Sequence, residues 1–163
     1  MKIILVIFGV IAIVFLIVIM VIKFGGGDKK VAGYSVGDPN APKVEIIEKK
    51  FDFGKIALND VAKHEFKIKN TGKNPLIITG IMTSCHCTSA ILKVPGKTDS
   101  PEFGMHIEGN WQGEIDLRSE AVLEVIYTPA KMPIKGVISR VVTLSTNDPS
   151  TKEVQIEIVA EVQ

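Results

Sequence analysis

With 163 residues, 46% hydrophobic and 23% charged, and a formal net charge of +1, the chain holds about one domain. That excludes a polytopic transporter, a large multidomain enzyme and a nucleic-acid binder built on a strong basic field, and two cysteines exclude a disulfide-dense scaffold. The average conceals two unlike parts, because residues 3–22 run without a charge, Pro or Asn, while the remainder has the composition of a soluble domain.

As a helix, Ile3 to Ile22 would be about 30 Å long, which matches the hydrocarbon thickness of a bilayer. Residues 1–23 are therefore expected to form a transmembrane signal anchor. A cleaved signal peptide has a shorter apolar core, of about 7–15 residues, although Gly25, Gly26 and Gly27 offer small residues for processing and leave cleavage open. Lys23, Lys29 and Lys30 after the segment outnumber Lys2 before it, which by charge count favours a cytoplasmic domain. The two-residue N-terminal tail is the layout of an anchor that exports the domain behind it, and an extracytoplasmic domain on a single-pass cell-membrane anchor is the expectation. Lys2 and Lys23 flank the segment, so 17 basic residues face 18 acidic ones beyond it. No nucleic-acid partner is implied. The membrane is the expected partner, together with an unidentified protein.

Residues 24–42 are rich in Gly, Asp and Pro without apolar periodicity and read as a flexible linker, with a root-mean-square reach of roughly 24 Å. From residue 43 onward the pattern has period two. Val44 to Glu48 opens the series, and in Val61 to Lys69 the residues His64, Phe66 and Ile68 alternate with charges, as in a strand with one wet face. Leu76 to Met82 is more continuously apolar and is expected to lie centrally. Ala121 to Thr128, Gly136 to Ser145 and the alternating run from Val154 to Val162 complete the set. No helical periodicity is present after the anchor. The expected fold over 43–163 is all-β, an Ig-like antiparallel β-sandwich of about seven strands, preceded by one N-terminal transmembrane helix. Its predicted core is Val44, Ile46, Phe53, Phe66, Ile68, Leu76, Ile78, Leu123, Val125, Tyr127, Val142, Leu144, Ile156 and Ile158.

Four stretches carry a family resemblance: Phe51-Asp52-Phe53-Gly54-Lys55-Ile56, His64-Glu65-Phe66 leading to Asn70-Thr71-Gly72, Ser84-Cys85-His86-Cys87-Thr88, and Thr146-Asn147-Asp148-Pro149. Together they resemble the bacterial family called domain of unknown function 1573, over roughly Val44 to Val162. The resemblance implies an exported Ig-like sandwich without an established activity. Two departures lie beside the cysteines: His86 replaces the usual Gly of Ser-Cys-Gly-Cys-Thr, and a loop of about residues 96–118 is inserted.

Cys85 and Cys87 are the sharpest chemical feature. On an extended strand they would share a face with Cα atoms near 6.6 Å, at about the upper edge for a disulfide, and a bond would close almost no loop. Two thiolates on one face suit a soft metal, copper(I) above all, or Zn(II) with further ligands. Met105 and His106 in the insertion are the candidate completing ligands, with His86 and Met82 flanking the cysteines. Inert packing of the cysteines and thiol–disulfide exchange stand beside that reading. His64 reads as a core histidine with a satisfied ring. No Ser-His-Asp pattern or phosphate-cradling glycine loop is present, and the carboxylate pairs Glu102 with Glu108 and Glu114 with Asp116 read as loop or strand-surface charges, so a non-enzymatic binding or assembly module is expected.

Overall fold

The computed structural model describes residues 11, 13–16, 19, 33–106 and 109–163. The chain divides into two compact units, Met1–Val31 and Ala32–Gln163. In the first, residues 11, 13–16 and 19 are helical with exposed side chains, and the rest of the anticipated span lies outside the described residues. Among the described residues, no helix is long and apolar enough to cross a membrane.

The second unit is all-β. In chain order its strands are β1 (Val44–Ile46), β2 (Lys50–Ile56), β3 (Ala62–Asn70), β4 (Leu76–Thr83), β5 (Thr88–Lys93), β6 (Gly113–Ile115), β7 (Glu120–Tyr127), β8 (Gly136–Thr146) and β9 (Glu153–Val162). A four-stranded sheet has the order β1-β3-β7-β5 and a five-stranded sheet the order β2-β9-β8-β4-β6. This gives nine strands among the described residues rather than about seven. The pairing is antiparallel throughout except that β2 runs parallel to β9. Strand β5 has no legible period in the sequence because its first three positions carry no alternation: Thr88, Ser89 and Ala90 are all buried. Period two marks a strand with one wet face, and β5 has little of one.

Where alternation is clean, it places the core. Strand β7 buries Ala121, Leu123, Val125 and Tyr127, and β9 buries Val154, Ile156, Ile158, Ala160 and Val162. Twelve of the fourteen predicted core residues are buried; Val44 and Phe53 pack against the core half-buried, at its margin. Two glycines interrupt the period. Gly54 and Gly80, with φ of 66° and 57°, sit in the irregularities of β2 and β4, where the left-handed backbone suits a residue without a Cβ.

The remaining family motifs are scaffold. The Asn70 side chain donates to the carbonyls of Asn74, Ile115 and Asp116 and accepts from the amides of Gly72 and Lys43, tying β3, the turn after it and the chain before β1 together. Asn147 accepts from the Ile77 amide at 2.8 Å, and Asp148, buried, accepts from the Val44 amide at 3.0 Å. The end of the anticipated linker is bonded to this region: the Lys73 amide donates to the Ala41 carbonyl and Asn74 Nδ2 to the Asn40 carbonyl. A Cβ on Gly72 would lie 2.4 Å from the Lys43 nitrogen, so the close approach requires glycine. His64 is half-buried, stacked on Phe51 and bonded to Glu48 at 2.8 Å, as a satisfied histidine at the core margin.

On the solvent face of the smaller sheet, Glu65 stands directly opposite Glu124. Like charges in that register repel, and Lys93 and Lys63 offset the repulsion by pairing with Glu124. The Lys93 hydrogen bond, ahead of the electrostatic contributions of Lys93 and Lys63, holds the Glu124 carboxyl below its usual pKa. A depressed folded-state value contributes stability above the unfolded carboxyl's pKa, about 4.3, and loses it as the pH falls through the folded value. Glu124→Gln is therefore expected to lower the melting temperature at pH 7 and to make little difference near pH 3. Thermal melts at the two pH values check this, and an equal deficit at both would contradict it.

Candidate functional site at the Cys85–Cys87 turn

The residue parity of β4 inverts at its bulge. Leu76 and Ile78 are buried before Gly80, and Ile81 and Thr83 after it, leaving Met82 and Ser84 exposed. The chain then turns through residues 84–87 into β5. Ser84 fastens the turn to β8 from both sides, its amide donating to the Val141 carbonyl and its hydroxyl accepting from the Val141 amide, each at 2.9 Å. The buried Thr83 hydroxyl lies 3.0 and 2.9 Å from the carbonyls of Cys85 and Thr88 and shares its proton between them. The Thr128 amide donates to the Cys87 carbonyl at 2.8 Å.

Cys85 and Cys87 form a disulfide, which corrects the expectation from an extended strand. The turn brings the Cα atoms to 5.3 Å, well inside the bonding range, where extended backbone would hold them near 6.6 Å. Both residues are buried, with Cys85 5% and Cys87 1% exposed. The two sulfurs have unequal surroundings. Cys85 Sγ accepts the Cys87 amide at 3.1 Å, while Cys87 Sγ accepts Nε–H of Arg140 at 3.2 Å. The Thr88 hydroxyl lies 3.4 Å from Cys85 Sγ and 3.9 Å from Cys87 Sγ.

Tyr127 lies opposite Thr88 in the β5–β7 ladder and is wholly buried, and among the described residues its hydroxyl has no hydrogen-bond partner. Burial raises its pKa, and the positive charge of Arg140 works against that rise. An unpaired buried hydroxyl is a cost that phenylalanine lacks. Tyr127→Phe is therefore expected to leave thermal stability unchanged or raise it by up to about 1 kcal/mol. A clear loss in a denaturant titration would mean that the hydroxyl is paired in solution.

The insertion folds back onto this turn. The Gly104 carbonyl accepts the Thr83 amide at 2.8 Å, and Phe103 pairs with Ala90 on the outer edge of β5. Phe103 is buried and packs edge-on against Trp111 at 5.0 Å. His86 and His106, both exposed, come within 6.2 Å of each other, centroid to centroid. Met105 is half-buried, and Met82 lies on the exposed face of β4. Among the described residues, no three His, Cys, Asp or Glu gather as a metal site. Sequence reasoning missed Arg140 as a neighbour of the Cys87 sulfur. Arg140 is 53 residues from Cys87 and joins it only through sheet pairing, so no local signal marked it.

Residues 44–102 match the family described as Protein of unknown function (DUF1573). The match ends before Thr146–Pro149, the fourth motif of the resemblance. None of the curated proteins matches the chain. A Porphyromonas gingivalis W83 protein of unknown function is similar in structure at TM-score 0.57 and 21% identity, over 76% of this chain and 48% of that one. The chain thus spans about half of that relative. The PapD-like domain 7 of human CEP192 is similar at TM-score 0.51 and 10% identity, over 85% of this chain and 96% of that domain. A Clostridium perfringens family 123 glycoside hydrolase is similar at TM-score 0.51 and 10% identity, over 70% of this chain but only 22% of that one. These likenesses establish the Ig-like, PapD-like sandwich fold.

Proposed function

From a chain whose residues 44–102 match the DUF1573 family and whose β unit has an Ig-like, PapD-like fold, we propose a non-enzymatic binding or assembly module. Residues 3–22 hold it to a membrane and the sandwich lies on the extracytoplasmic side. The observation that carries the binding role is the edge strand β2, whose only strand neighbour among the described residues is β9. The Glu157 amide donates to the Lys49 carbonyl, so in this parallel register Lys50 and Asp52 direct their main-chain groups to the outer edge. Such an edge pairs with an extended segment of a partner protein. The other edges offer less: β1 and β6 have three residues each, and residues 100–103 cover β5.

Photo-crosslinking residues introduced at Lys50 and Asp52 in cells are expected to trap a discrete protein partner more strongly than the same group at exposed Lys67 on the other sheet. Equal trapping would remove the edge-strand reading. Carbonate extraction and protease shaving of intact cells test the anchor and its orientation.

A second reading, Cu(I) held by reduced Cys85 and Cys87 with Met105 and His106, is favoured by the return of the insertion to the cysteine turn. Arg140 beside Cys87 opposes it, since a guanidinium repels a bound cation. Anaerobic Cu(I) titration of the reduced protein decides: binding no tighter than in Cys85→Ser ends that reading.

A further inference from the structure

We propose that Cys85 and Cys87 are a reversible two-electron pair that exchanges with a protein dithiol, Cys85 Sγ being the atom attacked and Cys87 the leaving thiolate stabilised by Arg140. This role is independent of what the sheet edge binds.

The disulfide has little structural work to do. It joins residues two apart, and the constraint a crosslink places on the unfolded chain shrinks with the loop it closes. The turn is already fixed by Thr83, Ser84 and the Thr128 amide, all bonded through groups other than sulfur. What the bond has instead is polarity. Exchange is fastest when the leaving thiol has a low pKa, and a neighbouring cation lowers it. Arg140 Nε–H points at Cys87 Sγ, and a guanidinium remains charged at every relevant pH. Cys85 is the less buried residue of the pair, at 5% against 1%, and its sulfur lacks the Arg140 contact, so the attack is assigned to Cys85 Sγ. The Thr88 hydroxyl, within reach of both sulfurs, supplies a donor to either thiolate.

In the exchange, a thiolate of the partner dithiol bonds to Cys85 Sγ, the Cys85–Cys87 bond breaks, and its electron pair stays on Cys87 Sγ beside Arg140. The partner's second thiolate then attacks its own sulfur in the mixed disulfide and displaces the Cys85 thiolate. The partner loses two electrons and becomes a disulfide, the pair gains them, and the partner's two protons pass to the released thiolates or to water.

The test uses the purified full chain, with dithiothreitol as the reducing probe. In the folded protein, reduction is expected to outrun global unfolding, and the Cys87 thiol, followed by thiolate absorbance in Cys85→Ser, is expected to titrate below the ordinary value of about 8.5. Arg140→Gln should raise that value, and Arg140→Lys should largely restore it. With a leaving-group coefficient of about 0.5, as for the attacking thiol, each unit gained slows reduction roughly threefold. Reaction of the oxidised wild-type chain with the monothiol glutathione, quenched by N-ethylmaleimide, should leave glutathione on Cys85 and the alkylated free thiol on Cys87, as read by peptide mapping. Reduction of the wild-type chain only at its unfolding rate would overturn the proposal, a result that needs no variant. An unchanged titration in Arg140→Gln would remove the role of Arg140, and preferential capture at Cys87 would reverse the assignment of the attacked sulfur.

Discussion

Asn70→Ala is expected to destabilise the β domain by about 3–5 kcal/mol. The side chain is 1% exposed and uses both of its ends: Nδ2 reaches three carbonyls and Oδ1 two amides. Alanine removes all five contacts and leaves their partners in the interior of a turn. The Ile115 carbonyl is the most deeply placed of these, and an unpaired buried group costs about 1–3 kcal/mol. Neighbouring Thr71 provides the control. Its exposed hydroxyl makes one long contact, 3.4 Å to the Lys43 carbonyl, so Thr71→Ala should cost only a few tenths of that amount. Urea unfolding of both variants measures the contrast, and equal losses would show that Asn70 is not the hub of this corner.

The second large effect concerns the insertion. Phe103→Ala is expected to cost about 3–5 kcal/mol, as for a large aromatic removed from a packed core. Phe103 is 2% exposed, and its main chain exchanges two hydrogen bonds with Ala90. Two residues further along β5, the Leu92 carbonyl accepts the Ser100 amide and the Leu92 amide donates to the Ser100 hydroxyl. Without the ring, this covering segment is expected to detach from β5, with faster amide exchange at Ala90 and Leu92 and a red shift in the emission of Trp111, the single tryptophan. Met105→Ala should leave all three readouts near wild type, because Met105 is half-buried beside the anchor rather than part of it. A Met105→Ala variant as damaging as Phe103→Ala would mean that the loop is held from its tip.

Six strands and most of the core were legible because a half-buried strand writes its orientation into every second residue. The run His64, Phe66, Ile68 shows this, with its graded burial from the margin to the centre. Strands β2, β5 and β6 were not legible: the alternation of β2 breaks at Gly54, β5 lacks a wet face, and the three residues of β6 are too few to show a period. The motifs of the family resemblance were visible as motifs, yet nothing in Asn70-Thr71-Gly72 or Asn147-Asp148-Pro149 says that their side chains are spent on main-chain amides 27 to 104 positions away. At the cysteines the spacing was read correctly and the backbone was not: a strand was assumed where Gly80 and Ser84 set up a turn, and that difference brings the Cα atoms into bonding range.

By itself the sequence determined the β class and the faces of the long strands and singled out the pair of sulfurs, because these depend on local period and on residue type. Only the tertiary structure decided what surrounds the sulfurs. Sheet pairing carries Arg140 to them from a distant strand, and the buried Phe103 returns the insertion to their turn. Such contacts arise from three-dimensional packing, and no spacing along the chain encodes them.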